Sequence, residues 1–347
     1  MQLANTKNKR LALLAAFFMF TVSNSYSMAA TSNEVFMVES ESKIPVSISI
    51  STGVLNGESE ELVYEGSYGR VSKLTWDFDR VPVIGINTSV KPSEKFSVNF
   101  SGWTKVSESS GNMEDYDWNE GDSEPWTDYS SHDTELDEAY MLDLNMSYLL
   151  YKKDNSSLTG EVGFRHDRYK WNAYDAYGVY SQYNDDYDLI GFRNGDMVSS
   201  GKAISYDQEF YTPYLGLTFN TKKDKWVISS YVRGSLWAWG EAEDNHYSPA
   251  YTINEVYDIP AGEKNTYKDE FDNISYISLG LNIGYILTED ITITLSGDFQ
   301  RYIREKGSSK IKVYNYDESE YNYYESGDGA GTSNYSYMIS LGATYIF

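Results

Sequence analysis

The sequence predicts an all-β fold: a ten-stranded antiparallel transmembrane β-barrel extending beyond the outer leaflet. Three observations support this. An export leader opens the chain, apolar residues recur with period two, and the connections alternate between short turns and long polar stretches.

The leader comes first. Lys7, Lys9 and Arg10 form a basic start, Leu11 to Val22 is apolar, and small residues follow at Ser25, Ser27, Ala29 and Ala30. This is the three-part pattern of a secretory signal over residues 1–29, with cleavage between 27 and 30. An uncleaved anchor is the weaker reading, because the apolar run falls short of the roughly 20 residues a membrane helix needs. Residues 30–347 then read as a single outer-membrane barrel domain with five extracellular loops.

Composition agrees. The chain is rich in aromatics, with Tyr 33, Trp 8 and Phe 14, and its mean hydropathy is too polar for a bundle of membrane helices. Lys and Arg total 28 against 52 Asp and Glu, a net charge of -24 that becomes -27 once the leader's three basic residues are removed. Such a chain is repelled by phosphate backbones, so no nucleic-acid partner is expected. The absence of cysteine excludes thiol catalysis, thiolate metal sites and disulfides.

The strands are predicted at 44–64, 69–89, 95–107, 136–150, 157–175, 202–219, 226–243, 271–286, 291–306 and 333–347. In the third, Phe96, Val98 and Phe100 alternate with Ser97, Asn99 and Ser101; in the fourth, Leu142, Leu144, Met146 and Tyr148 alternate with Asp143, Asn145 and Ser147. In the last, Tyr337, Ile339, Leu341, Ala343, Tyr345 and Phe347 form the greasy face. A soluble sandwich carries the same stripe. The export signal, the Tyr and Trp content and a chain ending on an aromatic in mid-strand favour the membrane barrel. Short turns near 91–95, 152–156, 221–225 and 288–290 belong to the periplasm, and the stretches 107–135, 178–201, 245–270 and 307–332 read as long loops outside. An even strand count puts both ends in the periplasm, and the closed barrel is expected to be a monomer. Ten strands leave little room for a wide pore, so chemistry is expected at the outer rim.

Ser107 to Glu138 holds about a dozen acidic residues and no Lys or Arg. The bland reading is a solvated surface; the functional one is a mouth that collects cations. Asp115 and Asp117, spaced i, i+2, face the same side of a continuing strand, and closely spaced carboxylates raise each other's proton affinity. A calcium loop fits poorly, because Gly121 comes one place late and Trp126 stands where a bidentate acid is needed. Of the three histidines, His132, His166 and His246, the last has Asp244 two residues before it. A carboxylate beside an imidazole holds its tautomer and raises its basicity. Zinc would need more His or Cys ligands, so no metal is assigned.

These residues carry a resemblance. Gly111-Asn112-Met113, then Asp115, Asp117 and Trp118, are followed in order by Trp126-Thr127-Asp128, Ser130, His132, Thr134 and Leu136. Weaker matches are Leu55, Gly57, Glu61, Val63 and Tyr64, then Pro213-Tyr214, Gly216-Leu217, Asp244, His246, Tyr247 and Gly329-Ala330-Gly331. From about Pro45 to Phe347 the chain resembles the omptins, ten-stranded outer-membrane endopeptidases of Gram-negative bacteria whose active site faces outside. The resemblance implies an aspartic-type peptide hydrolase acting on cationic polypeptides. In it Asp115 and Asp117 form an acidic couple opposite an Asp244–His246 dyad that activates water. Asp128, Ser130 and His132 are read as supporting residues rather than as a hydroxyl triad.

The resemblance also implies preference for basic residues, set by two acids. Glu61 matches one, but Ala242 stands where the family has the other, so looser discrimination is expected. Lipopolysaccharide is implied as a requirement for activity, held by basic residues on the outer wall. Arg168 matches one of these, while Glu209 replaces another and the third falls near Asp272. No other cofactor is implied. A non-catalytic adhesin or receptor-binding barrel and a narrow channel remain as rival functions.

Overall fold

The computed structural model describes residues 44–347 apart from 185, 187, 248–262 and 316–318; the leader and the middle of the predicted 245–270 loop lie outside the described residues. The described chain forms one antiparallel sheet. Its strands are β1 (Val46–Glu65), β2 (Gly69–Ser93), β3 (Phe96–Lys105), β4 (Ser110–Asp117), β5 (Asp128–Lys153) and β6 (Ser156–Tyr183), then β7 (Leu189–Lys223), β8 (Trp226–Tyr247), β9 (Lys264–Ile286), β10 (Ile291–Asn315) and β11 (Glu320–Ile346). β1 pairs with both β2 and β11, which closes the sheet and removes its edges.

Eleven strands fill ten positions in the ring. β3 pairs with the lower parts of β2 and β5, and β4 pairs with their upper parts, from Ser72↔Asp117 to Trp76↔Met113 on one side and Ser110↔Glu135 to Asp117↔Asp128 on the other. The predicted third strand therefore resumes after a break at 106–109. Gly111 permits the resumption, because a Cβ there would lie 2.4 Å from the Asp77 carbonyl oxygen.

The outward apolar belt is in register around the barrel. Val162 faces Leu215, Leu217 faces Val232, Val232 faces Leu279, Leu279 faces Phe299 and Phe299 faces Tyr337. Exposed aromatic side chains at Tyr148, Trp226, Tyr285 and Tyr345 stand beside the short turns, the positions of an aromatic girdle. 

The predicted long loops are largely strand. β4 and β5 take up most of 107–135, β6 and β7 most of 178–201, and β10 and β11 most of 307–332. Above the bilayer both faces of a strand meet polar surroundings, so hydropathy stops alternating while the hydrogen-bond ladder continues. With 28 residues in β6 and 35 in β7, the barrel runs far beyond the roughly 9 to 11 residues that cross a membrane.

Inside, three zones follow one another. The lowest is lined by small polar side chains such as Ser47, Ser49, Asn87, Ser89, Asn99 and Asn145. Above it, Arg233 meets Glu161 at 2.8 Å and Asp143 at 3.4 Å, and Tyr302 on β10 donates to Asp167 on β6 across the lumen at 2.8 Å. Next comes an aromatic plug of Trp76, Phe78, Tyr169, Trp171, Tyr206, Phe210 and Tyr302, all buried, in which Trp76 stacks on Tyr206 and Phe210 on Tyr302. The rim cleft sits on this plug.

Candidate active site

β4 and β8 bring the two predicted pairs into the same cleft. On β4, alternation turns Met113, Asp115 and Asp117 inward, with Asp115 beside Leu74 of β2 and Ser130 of β5. Ser72 donates to Asp115 Oδ1 at 3.0 Å. The short connection 118–127 is pinned down: Asn119 Nδ2 donates to Asp128 Oδ2 at 2.6 Å, and the Ser181 amide donates to Asp128 Oδ1 at 2.8 Å. Asp128 is thus a supporting residue that ties the tip of β4 and β5 to β6.

On β8, Ala242, Asp244 and His246 share the inward face, and one imidazole nitrogen of His246 lies 2.6 Å from Asp244 Oδ2. Asp244 is buried, while the His246 side chain keeps 32% of its exposure and so can reach a substrate. Burial alone would depress the imidazolium. The charge and hydrogen bond of Asp244 outweigh it, Asp117 across the cleft adds to them, and the pKa rises above 6.5.

Burial pushes the Asp115 carboxyl up to about 7 against the Ser72 hydrogen bond, with the charges of Asp244 and Asp128 helping. Asp117 is raised by burial and then by Asp115. Two carboxyls in this state hold a proton between them at neutral pH.

Ser130 and His132 also face the cleft, 3.2 Å apart. Neither Asp128 nor Asp133 completes a hydroxyl triad with them. Asp128 is engaged by Asn119 and Ser181, and Asp133 is exposed on the other face of β5. Burial and the His246 charge lower the His132 pKa to about 4, which makes it a feeble base. Tyr180, which sequence reasoning missed, hydrogen-bonds Ser130 from β6 and adds a hydroxyl beside the acidic couple.

Below the dyad, Glu61 and Ala242 have a further acid near them. Glu61 is buried and accepts from Trp76 Nε1 at 3.2 Å. Ala242 is buried as well, and directly across from it on β9 stands Asp269, also turned inward. The prediction had placed residue 269 in a loop, two residues before the eighth predicted strand, which is β9 of the structure. The missed signal was the alternation of Tyr267, Asp269 and Phe271 against Lys268 and Glu270.

Comparison with known proteins agrees with the fold. The family model described as the Omptin family matches residues 42–347. The chain belongs to the omptin family. Among its relatives, this omptin is 32% identical over 310 residues to Protease 7 of Escherichia coli strain K12, covering 87% of this chain and 90% of that one. It is 30% identical over 303 residues to the plasminogen activator of Yersinia pestis, with 86% and 89% covered. The crystal structure of the outer membrane protease OmpT from Escherichia coli superposes with a TM-score of 0.77 at 29% identity, covering 87% of this chain and 97% of that one. The omptin is accordingly an outer-membrane β-barrel of a Gram-negative bacterium and an outer-membrane protease.

The outer wall of this omptin departs from the expected basic patch. Arg168 is clasped by Asp207 at 2.6 Å, Glu138 at 3.2 Å and Glu209 at 3.4 Å, and His166 lies 2.9 Å from the same Glu209. Glu209 thus engages Arg168 and His166 at once.

Proposed function

We propose that this omptin is an endopeptidase that hydrolyses peptide bonds next to basic residues, using a water activated by the Asp244–His246 dyad opposite the Asp115–Asp117 couple. The observation that carries the reading is the 2.6 Å contact between His246 and Asp244, across the cleft from two carboxyls whose proton affinity burial raises. One nitrogen of His246 is fixed by Asp244, and the other takes a proton from water as it attacks the scissile carbonyl. The shared proton of the couple then hydrogen-bonds the developing oxyanion. No side-chain nucleophile is required, and no metal or other cofactor enters the chemistry.

The acidic mouth favours cationic polypeptides, which its field steers inward until salt screens it. The plug and the hydrogen bonds spanning the lumen speak against a channel. An adhesive role leaves the four ionisable side chains of the cleft without a purpose. Lipopolysaccharide is proposed as a bound activator on the outer wall, with Arg168 its contact, working as a monomer.

The experiment is digestion of a mixed peptide library by refolded protein, with and without lipopolysaccharide, each cut mapped by mass spectrometry. Cuts clustered beside Lys and Arg, lost in His246→Ala, support the proposal. Cuts that persist in His246→Ala move the chemistry elsewhere, with Ser130 and His132 next to test.

A further inference from the structure

Asp269 enters the cleft from β9, a strand that holds none of the four reacting side chains. It pairs with Ala242 on β8 and Ser309 on β10, and Ser309 hydrogen-bonds its carboxylate. The residue is 6% exposed, and its Oδ1 has no hydrogen-bond partner among the described residues. Glu61 enters from β1, three strands round the ring from β9, 4% exposed and held by Trp76. The two acids are near enough for the charge of Asp269 to act on Glu61. Ala242, across from Asp269 on β8, contributes only a methyl group and no charge.

A buried carboxylate oxygen without a donor is costly, and two such acids facing one another are costlier still. Elsewhere in the lumen the same chain answers buried acids with Arg233 and Arg165. Burial favours the protonated form of both acids until a cation arrives, and Ala242, two residues from Asp244 on the inward face of β8, puts such a cation next to the Asp244–His246 dyad, where the substrate would supply it.

We infer that Asp269, reaching over Ala242 from the neighbouring strand, is the second carboxylate of the pocket and with Glu61 determines selectivity for a lysine or arginine side chain of the substrate. This deepens the endopeptidase reading and rests on it. Asp269 is a specificity-determining residue and takes no part in the bond-breaking step. A carboxylate displaced by one strand also sets a different depth from one on residue 242. A long cation that reaches Glu61 and Asp269 together gains more than one that meets a single acid.

The test measures kcat/KM on matched peptides with arginine or its uncharged isostere citrulline before the cut, for the refolded full barrel. Asp269→Asn is expected to cut the arginine-to-citrulline ratio by roughly ten- to a hundredfold, the worth of a charge-assisted contact. Asp269→Asn with Ala242→Asp restores the ratio, because the acid returns on the adjacent strand. In the otherwise native chain, Ala242→Asp alone brings no gain, since the pocket already has two acids. A ratio unchanged in Asp269→Asn overturns the inference while leaving the protease intact. Absence of any cleavage by the native chain overturns the protease reading instead. Should Asp269→Asn not fold, judged by its heat-induced gel shift, Ala242→Asp alone decides: no gain supports the inference, and a tenfold gain or more overturns it.

Discussion

Arg233 in the lower lumen lies between Glu161 and Asp143 and closes both ion pairs, whereas Glu61, Asp115, Asp117 and Asp269 crowd the upper cleft with no lysine or arginine paired to them among the described residues. Both regions are walled by the same strands. The lower one spends its charges on bridging the wall, and the upper one keeps them unanswered. A buried acid lacking its counter-charge holds a proton or waits for a cation, and both states are useful to an enzyme that must donate to an oxyanion and grip a basic side chain. The division of labour is thus written in the pairing of charges rather than in the backbone.

Breaking the upper arrangement has the largest expected effect. His246→Ala is expected to lower kcat/KM by roughly 10²- to 10⁴-fold, the usual worth of a general base, while the heat-induced gel shift stays native. Asp244→Asn falls in the same range, because it forfeits both the tautomer and the raised basicity of His246. Near-native rates in both variants would remove the dyad from the mechanism.

Breaking the lower arrangement acts on stability instead. Arg233→Ala leaves Glu161 and Asp143 buried without their cation, which costs about 3–5 kcal/mol. Denaturant unfolding in detergent reads this directly. Asp115→Asn, by contrast, relieves the crowded acids of the cleft and is expected to be neutral or stabilising while activity drops. If the two variants exchanged their effects, the contrast between the halves would be wrong.

The same contrast explains what the sequence disclosed. The membrane half was legible because lipid outside and polar side chains inside impose alternation, so the turns at 94–95, 154–155 and 224–225 fall within the predicted ones. The upper half hid its strands, since water and a polar cleft flank both faces. β4 was lost for that reason, as were the first seven residues of β9. The dyad and the couple were still found, because i, i+2 spacing places two side chains on one face whatever the hydropathy. Asp269 was not: its role depends on standing across from Ala242, a relation between strands that no local spacing encodes.

Titration sharpens the comparison further. His246 must be neutral to act, so kcat/KM is expected to rise with pH through an apparent pKa above 6.5 and to fall when the couple gives up its shared proton. Stability runs the other way. Glu61, Asp115, Asp117 and Asp269 have raised pKa values, so their contribution is full below the unfolded carboxylate range near 4 and is lost as pH rises through about 7, where Asp115 and Asp269 titrate. His246, also raised, has the same sign. Hydrogen exchange, corrected for intrinsic rates, should show the upper strand segments better protected at pH 5 than at pH 8. Equal protection at the two values would mean that these acids are not strained.

The smallest effect is expected where the halves meet, on the outer wall around Arg168. Its guanidinium is a quarter exposed and shared among Asp207, Glu138 and Glu209, so a lipid phosphate must displace carboxylates to reach it. Glu209→Ala removes one competitor and frees His166 as well. Exposed pairs of this kind are worth about 0.2–1 kcal/mol, so the lipopolysaccharide concentration giving half-maximal activation should fall only about two- to fivefold. Arg168→Ala should raise that concentration, and the rate at saturating lipid should stay close to native because the cleft is untouched. If Arg168→Ala leaves the activation curve unmoved, lipopolysaccharide contacts another part of the wall, and the acidic clasp around Arg168 serves only to hold β5, β6 and β7 together.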